Sequence, residues 1–277
     1  MASQVASKLD EVLAEGRPAL VGYLPLGFPT LEKSVEAITT LIDNGVDIVE
    51  IGIPYTDPVM DGPVIQAAAQ TALDNGTRPK DVFHIIQQIK QTHPATPILV
   101  MTYYNPVLRY GVDKFAEELA QAGGAGLITA DLVPEQAGEW IAAADKYGLD
   151  KVFLVAPSTP PERLKLVSEA ARGFVYAAST MGVTGVRAEV GNAAEKLVYQ
   201  TRKAGAKHVC VGLGVSNAEQ AKEVGKYADG VIVGSAFVKP LLNESQPWEQ
   251  RLKTLSEIVK QIAAGVANSR GTLAKPH

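Results

Sequence analysis

The chain reads as an α/β protein, a single (β/α)8 barrel with an extra N-terminal helix, and three observations lead there. Eight apolar runs follow one another along the 277 residues, most of them separated by one helical pattern. The runs are near-continuous instead of alternating, as strands covered on both faces must be. A weak repeat, NGVDIVE, GGAGLITAD, AGAKHVCVG and YADGVIVG, places a small or acidic turn before an apolar strand each time. Alternating strand and helix means a parallel sheet with right-handed crossovers. Eight units and this length favour a closed barrel, with an open doubly wound sheet as the alternative. No linker interrupts the pattern, so residues 1–277 are read as one domain with a flexible tail over about 267–277.

Val5, Leu9, Val12 and Leu13 make one face of a short amphipathic helix that can plug the bottom of a barrel. Strand one is 19–24, closed by Pro25 and Gly27. Thr30 caps the next helix, whose inner face is Leu31, Val35, Ile38, Leu41 and Ile42; Gly45 ends it. Strand two is 47–53. Pro63 suits the first turn of one helix, and Val82, Ile85, Ile86 and Ile89 mark another before strand three at 98–103. Phe115 and Leu119 face inward ahead of strand four, 127–132. Trp140, Ile141 and Ala144 mark the helix behind it, and strand five is 152–156. Pro160 and Pro161 open the following helix, with Leu164 and Val167 buried. Strand six, 174–178, runs into a polar, glycine-rich loop at 179–192. Strands seven and eight are 209–213 and 231–233, and a last helix covers about 248–262.

Lys plus Arg is 26 and Asp plus Glu is 30, a net charge of −4, which argues against non-specific binding to nucleic acid or an anionic membrane. An anionic substrate would need a local cluster of donors. The single cysteine, Cys210, sits in an apolar run and reads as a packing residue of a protein in a reducing compartment. The first residues lack the pattern of a secretory signal and no apolar run approaches a membrane span, so a soluble, cytoplasmic protein is expected.

The active site of such a barrel lies at the C-terminal ends of its strands, which sorts the candidates. Glu50 is late in strand two. A side-chain period of two puts Ile48, Glu50 and Gly52 on one face and Val49, Ile51 and Ile53 against the helices, so Glu50 points into the barrel mouth. Burial there raises its pKa and makes it a usable general acid or base; the alternative is a structural acid hydrogen-bonded to a neighbour. Asp61 is either a helix cap or a cavity acid. Pro63 at the first helical position makes Gly62 the natural cap and frees Asp61 to face the cavity. Asp57 reads as a turn residue. Asp131, at the end of strand four, could line the site, and Tyr103, Tyr104 and Tyr176 are core or site residues.

Three glycine-bearing ends follow the last strands: GVTG at 182–185, GLG at 212–214, and Gly234–Ser235 before the helical pattern SAFVKPLL. Glycines let backbone N–H groups approach an anion, and these positions are where barrels of this kind bind phosphate; three ordinary tight turns are the alternative. No lysine sits at the C-terminal end of a strand, which disfavours a Schiff base, and His84, His93, His208 and His277 form no metal-ligand pattern. What remains is carboxylate acid–base chemistry on a small phosphorylated substrate, without metal or covalent cofactor. The residues by themselves do not name that substrate.

The stretch EIGIPYTDPVMDGPVIQ resembles the signature of the tryptophan synthase alpha subunit. GYLPLGFPT, MTYYNP, ADLVPEQ, STMGVTG, GLGVS and VGSAFV fall in the same order and spacing, over roughly residues 18–265. The resemblance implies a barrel that cleaves indole-3-glycerol phosphate to indole and glyceraldehyde 3-phosphate. It implies Glu50 as the catalytic glutamate and Asp61 as the aspartate that stabilises charge at the indole N–H. Tyr176 falls in the substrate pocket, Gly185, Gly214, Gly234 and Ser235 at the phosphate, and Thr184 in a lid that meets the aspartate on closure. It further implies no cofactor in this chain and a beta subunit, carrying pyridoxal phosphate, that receives indole through a tunnel within an alpha-beta-beta-alpha complex. Thr56, Met60 and Thr180 stand where serine, alanine and arginine are common in the family and bear on loop closure.

Overall fold

The computed structural model describes residues 2–58, 60–178, 187–212 and 214–270, with the backbone alone at 187–192. Nine parallel strands make one sheet: β1 (Ala19–Pro25), β2 (Ile48–Gly52), β3 (Ile98–Thr102), β4 (Gly126–Thr129), β5 (Asp150–Val152), β6 (Leu154–Val155), β7 (Val175–Ala178), β8 (Val209–Gly212) and β9 (Gly230–Val233). Their order is β5-β4-β3-β2-β1-β9-β8-β7-β6. The two ends of that order are consecutive in the chain, with Phe153 alone between them. The sheet therefore closes on itself as a (β/α)8 barrel of the TIM type.

The fifth strand, expected as one run at 152–156, starts at Asp150 and is split in two. The reason is a change of partner. Asp150, Lys151 and Val152 pair with Gly126, Leu127 and Ile128, whereas Leu154 and Val155 pair with Tyr176 and Ala177. Phe153 sits at the switch with its ring buried and its carbonyl accepting from Tyr176 N at 3.0 Å.

The helices are α1 (Gln4–Ala14), α2 (Leu31–Asp43), α3 (Pro63–Asp74), α4 (Asp81–Thr92), α5 (Tyr104–Tyr110), α6 (Val112–Gln121), α7 (Gly138–Tyr147), α8 (Pro161–Ala170), α9 (Arg187–Lys203), α10 (Ala218–Gly225), α11 (Ser235–Leu241) and α12 (Trp248–Ala267). Two expectations are corrected here. Residues 187–192, read as loop, already belong to α9, most of whose residues (Ala, Glu, Lys, Arg, Leu and Gln) are good helix formers. Residues 267–270, expected to open the tail, are held in the fold. α12 runs through Ala267, and Arg270 is tied down by donating to Gly225 O and Ala228 O. Residues 271–277 lie outside the described residues.

Side-chain alternation divides the apolar residues into two cores. Val49, Ile51 and Val100 meet the helices. Val21, Ile48, Leu99, Ile128, Phe174, Cys210 and Ile232 fill the barrel interior, and Val5, Leu9 and Val12 of α1 pack against them from below. α1 is thus the expected plug, and Cys210 is a packing residue. Each of the plug's three side chains is fully buried, worth roughly 1.5–3 kcal/mol apiece. Asp150 holds the plug in place by accepting from Val5 N at 3.1 Å. With the bottom sealed, the interior is open only at the C-terminal ends of the strands.

Candidate active site

That opening is a cavity of about 320 Å³. Ile232 of the interior cluster, with Met101 and Leu154 packed against that cluster, forms its floor. Gly212, Gly214, Gly234 and Ser235 form one wall; Asp61, Gly62 and Ile65 form part of the opposite side. The ionisable residues on its lining are Tyr23, Glu50, Asp61 and Tyr176.

Glu50 faces inward from β2, as the period of two requires, and is fully buried. Neither carboxylate oxygen has a hydrogen-bond partner among the described residues. The alternative of a structural acid satisfied by a neighbour therefore finds no support. Burial pushes its pKa up to about 8, so at neutral pH the group carries a proton.

Asp61 stands on the loop between β2 and α3. Gly62 is the N-cap of α3 and Pro63 its first residue, as the sequence indicates, and the cap makes no side-chain hydrogen bond. The Asp61 carboxylate is thereby left to the cavity, while its carbonyl accepts from Gln66 Nε2 at 2.8 Å. Burial raises its pKa too, though the residue keeps partial contact with solvent. The loop is pinned further where Met60 N donates to Tyr103 Oη at 2.9 Å and where Tyr55 Oη accepts from Asn105 Nδ2 at 3.1 Å. Asp57 accepts from Thr56 Oγ1 at 2.7 Å at the surface, a turn contact.

Asp131 is a correction. β4 ends at Thr129, and Asp131 turns away from the cavity to accept from Tyr104 N at 2.7 Å, at the start of α5. Residues 104–110 are that helix. Tyr176 lines the cavity as expected, with its hydroxyl above Gly212: a Cβ there would come within 2.4 Å of it. Tyr23 makes the same arrangement with Gly52, where a Cβ would lie 2.1 Å from the hydroxyl. The sequence reading missed Tyr23. The signal was present, since the period of two runs from Val21 inside the barrel to Tyr23.

On the glycine wall, Gly214 has a φ of 63°, the left-handed region that excludes most side chains. Gly234 caps α11 without a side-chain bond, and the first helical bonds run from Phe237 N and Val238 N to Gly234 O. The N–H groups of Ser235 and Ala236 precede them and are unused by the helix. Thr184, Gly185 and Thr180 lie outside the described residues. Among the described residues no lysine, arginine or histidine lines the cavity, and no group of His, Cys, Asp and Glu is placed to hold a metal ion.

A sealed parallel barrel with two carboxylates facing a glycine wall at its mouth defines a barrel enzyme of the carboxylate acid–base class. Comparison with known proteins narrows the class. The family model for the tryptophan synthase alpha chain matches residues 9–267. The chain is 52% identical over 272 residues to the tryptophan synthase alpha chain of Bifidobacterium longum, covering 97% of this chain and 93% of that one. It is 58% identical over 229 residues to that of Mycobacteroides abscessus, covering 83% and 87%. Among solved structures it is similar to tryptophan synthase from M. tuberculosis in an aminoacrylate-bound form, with a TM-score of 0.86 and 46% identity over 96% of this chain and 100% of that one. The alpha subunit from Legionella pneumophila superimposes with a TM-score of 0.88 at 30% identity, covering 97% and 100%.

The chain belongs to the tryptophan synthase alpha chain family. It is a lyase of tryptophan biosynthesis that cleaves indole-3-glycerol phosphate by a retro-aldol reaction, and the indole passes to the beta subunit.

Proposed function

We propose that Glu50 and Asp61 carry the cleavage, Glu50 as the acid–base and Asp61 as the counter-charge. The observation behind this reading is a buried, unpartnered glutamate facing the same cavity as a second, more exposed acid. Neutral Glu50 delivers its proton to C3 of the indole ring, which leaves positive charge at the ring nitrogen. The Asp61 carboxylate accepts from that N–H and balances the charge. Glu50, now ionised, takes the proton of the glycerol hydroxyl next to the ring. The C–C bond breaks, its electron pair returns to the ring, and a carbonyl forms on the departing glyceraldehyde 3-phosphate. Glu50 ends protonated again, with the hydroxyl's proton in place of the one left on C3, and the ring serves as electron sink, so this route draws on no cofactor of this chain.

Tyr176 borders the ring site. Gly214, Gly234 and Ser235, with Gly185, bind the phosphate through backbone N–H groups, and Thr184 belongs to a lid that closes toward Asp61. Residues 1–277 act as one domain of a cytoplasmic protein. The partner is a beta subunit carrying pyridoxal phosphate, in an alpha-beta-beta-alpha assembly. It docks on the rim around Pro58 and α5, beside the mouth through which an apolar product leaves. Exposed Met60 and Leu108 on that rim support the placement. A net charge of −4 and the lack of a membrane-crossing helix among the described residues fit a partnership with neither nucleic acid nor membrane.

Glu50→Gln tests the roles: it should bind substrate and lose turnover by about 10²–10⁴-fold or more. Near-normal turnover would remove Glu50 from the chemistry. Assaying the chain with and without a beta subunit separates a coupled subunit from a lyase that releases free indole by itself.

A further inference from the structure

The proposed cycle asks Glu50 to ionise, yet nothing in the barrel wall answers its charge. Below it the interior is apolar: Ile48, Leu99, Phe174 and the plug residues Val5 and Leu9. A carboxylate formed there needs a hydrogen-bond donor above it, at the mouth. The groups facing Glu50 from the surrounding elements are Tyr23 of β1, Tyr176 of β7, Cys210 of β8 and Asp61 of the loop before α3. β3, β6 and β9 contribute Met101, Leu154 and Ile232. Asp61 is an acid, and Cys210 is a weak donor in the sealed layer below. Ser235 belongs to the glycine wall at the start of α11, away from β2, which leaves two tyrosine hydroxyls on the strands.

Their positions differ. Tyr23 is the register partner of Glu50 on the neighbouring strand. Its ring leans toward the mouth, and its hydroxyl lies 2.1 Å from where a Cβ of residue 52 would be. Residue 52 is the next inward position above Glu50 on β2. The hydroxyl thus stands over Glu50, between it and the loop that carries Asp61. The site is built for this ring: glycine at 52 makes room for its tip, and the position of a Cβ at Gly234, on the other side, is 3.3 Å from Tyr23 Cδ1. The Tyr176 hydroxyl lies over Gly212 of β8, three strands from β2 in the sheet order.

We infer that Tyr23 is a positioning residue for the acid–base step, its hydroxyl being the donor to which the Glu50 carboxylate turns when it ionises. This rests on the reading of Glu50 given above. Tyr23 stays a donor throughout, because burial, and then the charges of Asp61 and Glu50, hold its own pKa far above the ordinary value. Tyr23 moves no proton. It stabilises the ionised half of the cycle and aims the carboxylate at the substrate.

The test compares Tyr23→Phe and Tyr176→Phe in the full chain by two measurements. One is the infrared titration of the Glu50 carboxyl without substrate, assigned by subtracting Glu50→Gln. The other is the pH profile of kcat and kcat/KM. Tyr23→Phe should raise the Glu50 midpoint by about one to two pH units above that of the wild type and carry the alkaline limb of kcat/KM with it. Plateau kcat should fall about 10-fold, with KM little changed. Tyr176→Phe should leave the midpoint in place. An unmoved midpoint in Tyr23→Phe, or the same shift in Tyr176→Phe, overturns the inference. Failure of the underlying reading shows separately, as retained turnover in Glu50→Gln, while the infrared midpoints still report on the tyrosine.

Discussion

Replacing Glu50 by glutamine should remove turnover and make the folded chain more stable at alkaline pH. In the unfolded chain this carboxyl titrates near its ordinary value of 4.5; in the barrel burial holds it at about 8. Between those values the unfolded state gives up the proton and the folded state keeps it. Stability therefore falls as pH rises through that window and levels off above it. The window spans 8 − 4.5, about 3.5 pH units, which at about 1.36 kcal/mol per unit is about 5 kcal/mol as an upper bound. Hydrogen bonding to the ionised form, as inferred for Tyr23, reduces it. Against a usual domain stability of about 5–15 kcal/mol this is a large charge for one side chain. Glutamine does not titrate, so its variant loses that slope. Its amide adds donors to an unpartnered place, a cost of about 1–3 kcal/mol that does not vary with pH. Urea unfolding of both proteins at intervals from pH 5 to 9 measures the difference directly. The variant should be level with or below the wild type at pH 5 and above it by about 2–4 kcal/mol at pH 8.5. Parallel curves would refute the claim that burial holds Glu50 neutral.

Asp61→Asn should fold normally, because the side chain is no cap, and lose turnover. A substrate methylated at the ring nitrogen should penalise the wild type far more than this variant; equal penalties would detach Asp61 from the ring N–H. Gly214→Val forces a β-branched residue to a φ of 63° on the phosphate wall, and KM should rise steeply; an unchanged KM would end that assignment. Pro58→Ala combined with Tyr104→Ala should weaken beta-subunit binding in a titration of activity, and unaltered affinity and activation would move the docking site elsewhere.

Much of this was legible in the sequence because the governing rules are local. Strands buried on both faces announce themselves as apolar runs, and a period of two sends Glu50 inward and Val49 and Ile51 outward whatever the rest of the chain does. Gly62 and Pro63 settle the start of α3 by capping chemistry alone. The failures involve partners distant in sequence. Nothing in VFLVA says that its neighbour changes at Phe153, because the switch is a property of β4 and β7. Asp131 follows an apolar strand as a site acid would, but the Tyr104 amide, 27 residues earlier, takes its carboxylate. Arg270 looked free because it finds its acceptors at Gly225, the end of α10, and at Ala228, ahead of β9.

The glycines of the mouth illustrate the same limit and explain why one fold can keep two acids in different states. Read singly, Gly52 and Gly212 are small residues at strand ends. Read across the sheet, each is the space into which a tyrosine from the preceding strand leans. Those rings stand beside Glu50, which is fully buried and has no hydrogen-bond partner among the described residues, while Asp61, on a loop held in part by Tyr103, stays at the edge of the solvent. Burial raises both acids, the fully buried Glu50 up to about 8, while Asp61 keeps partial contact with solvent; in the proposed cycle the first supplies the proton and the second answers the positive charge at the ring nitrogen. A retro-aldol cycle through an indolium ring needs both states at once. Two equally buried carboxylates would leave the ring charge unanswered, and two equally exposed ones would have no proton to give at neutral pH.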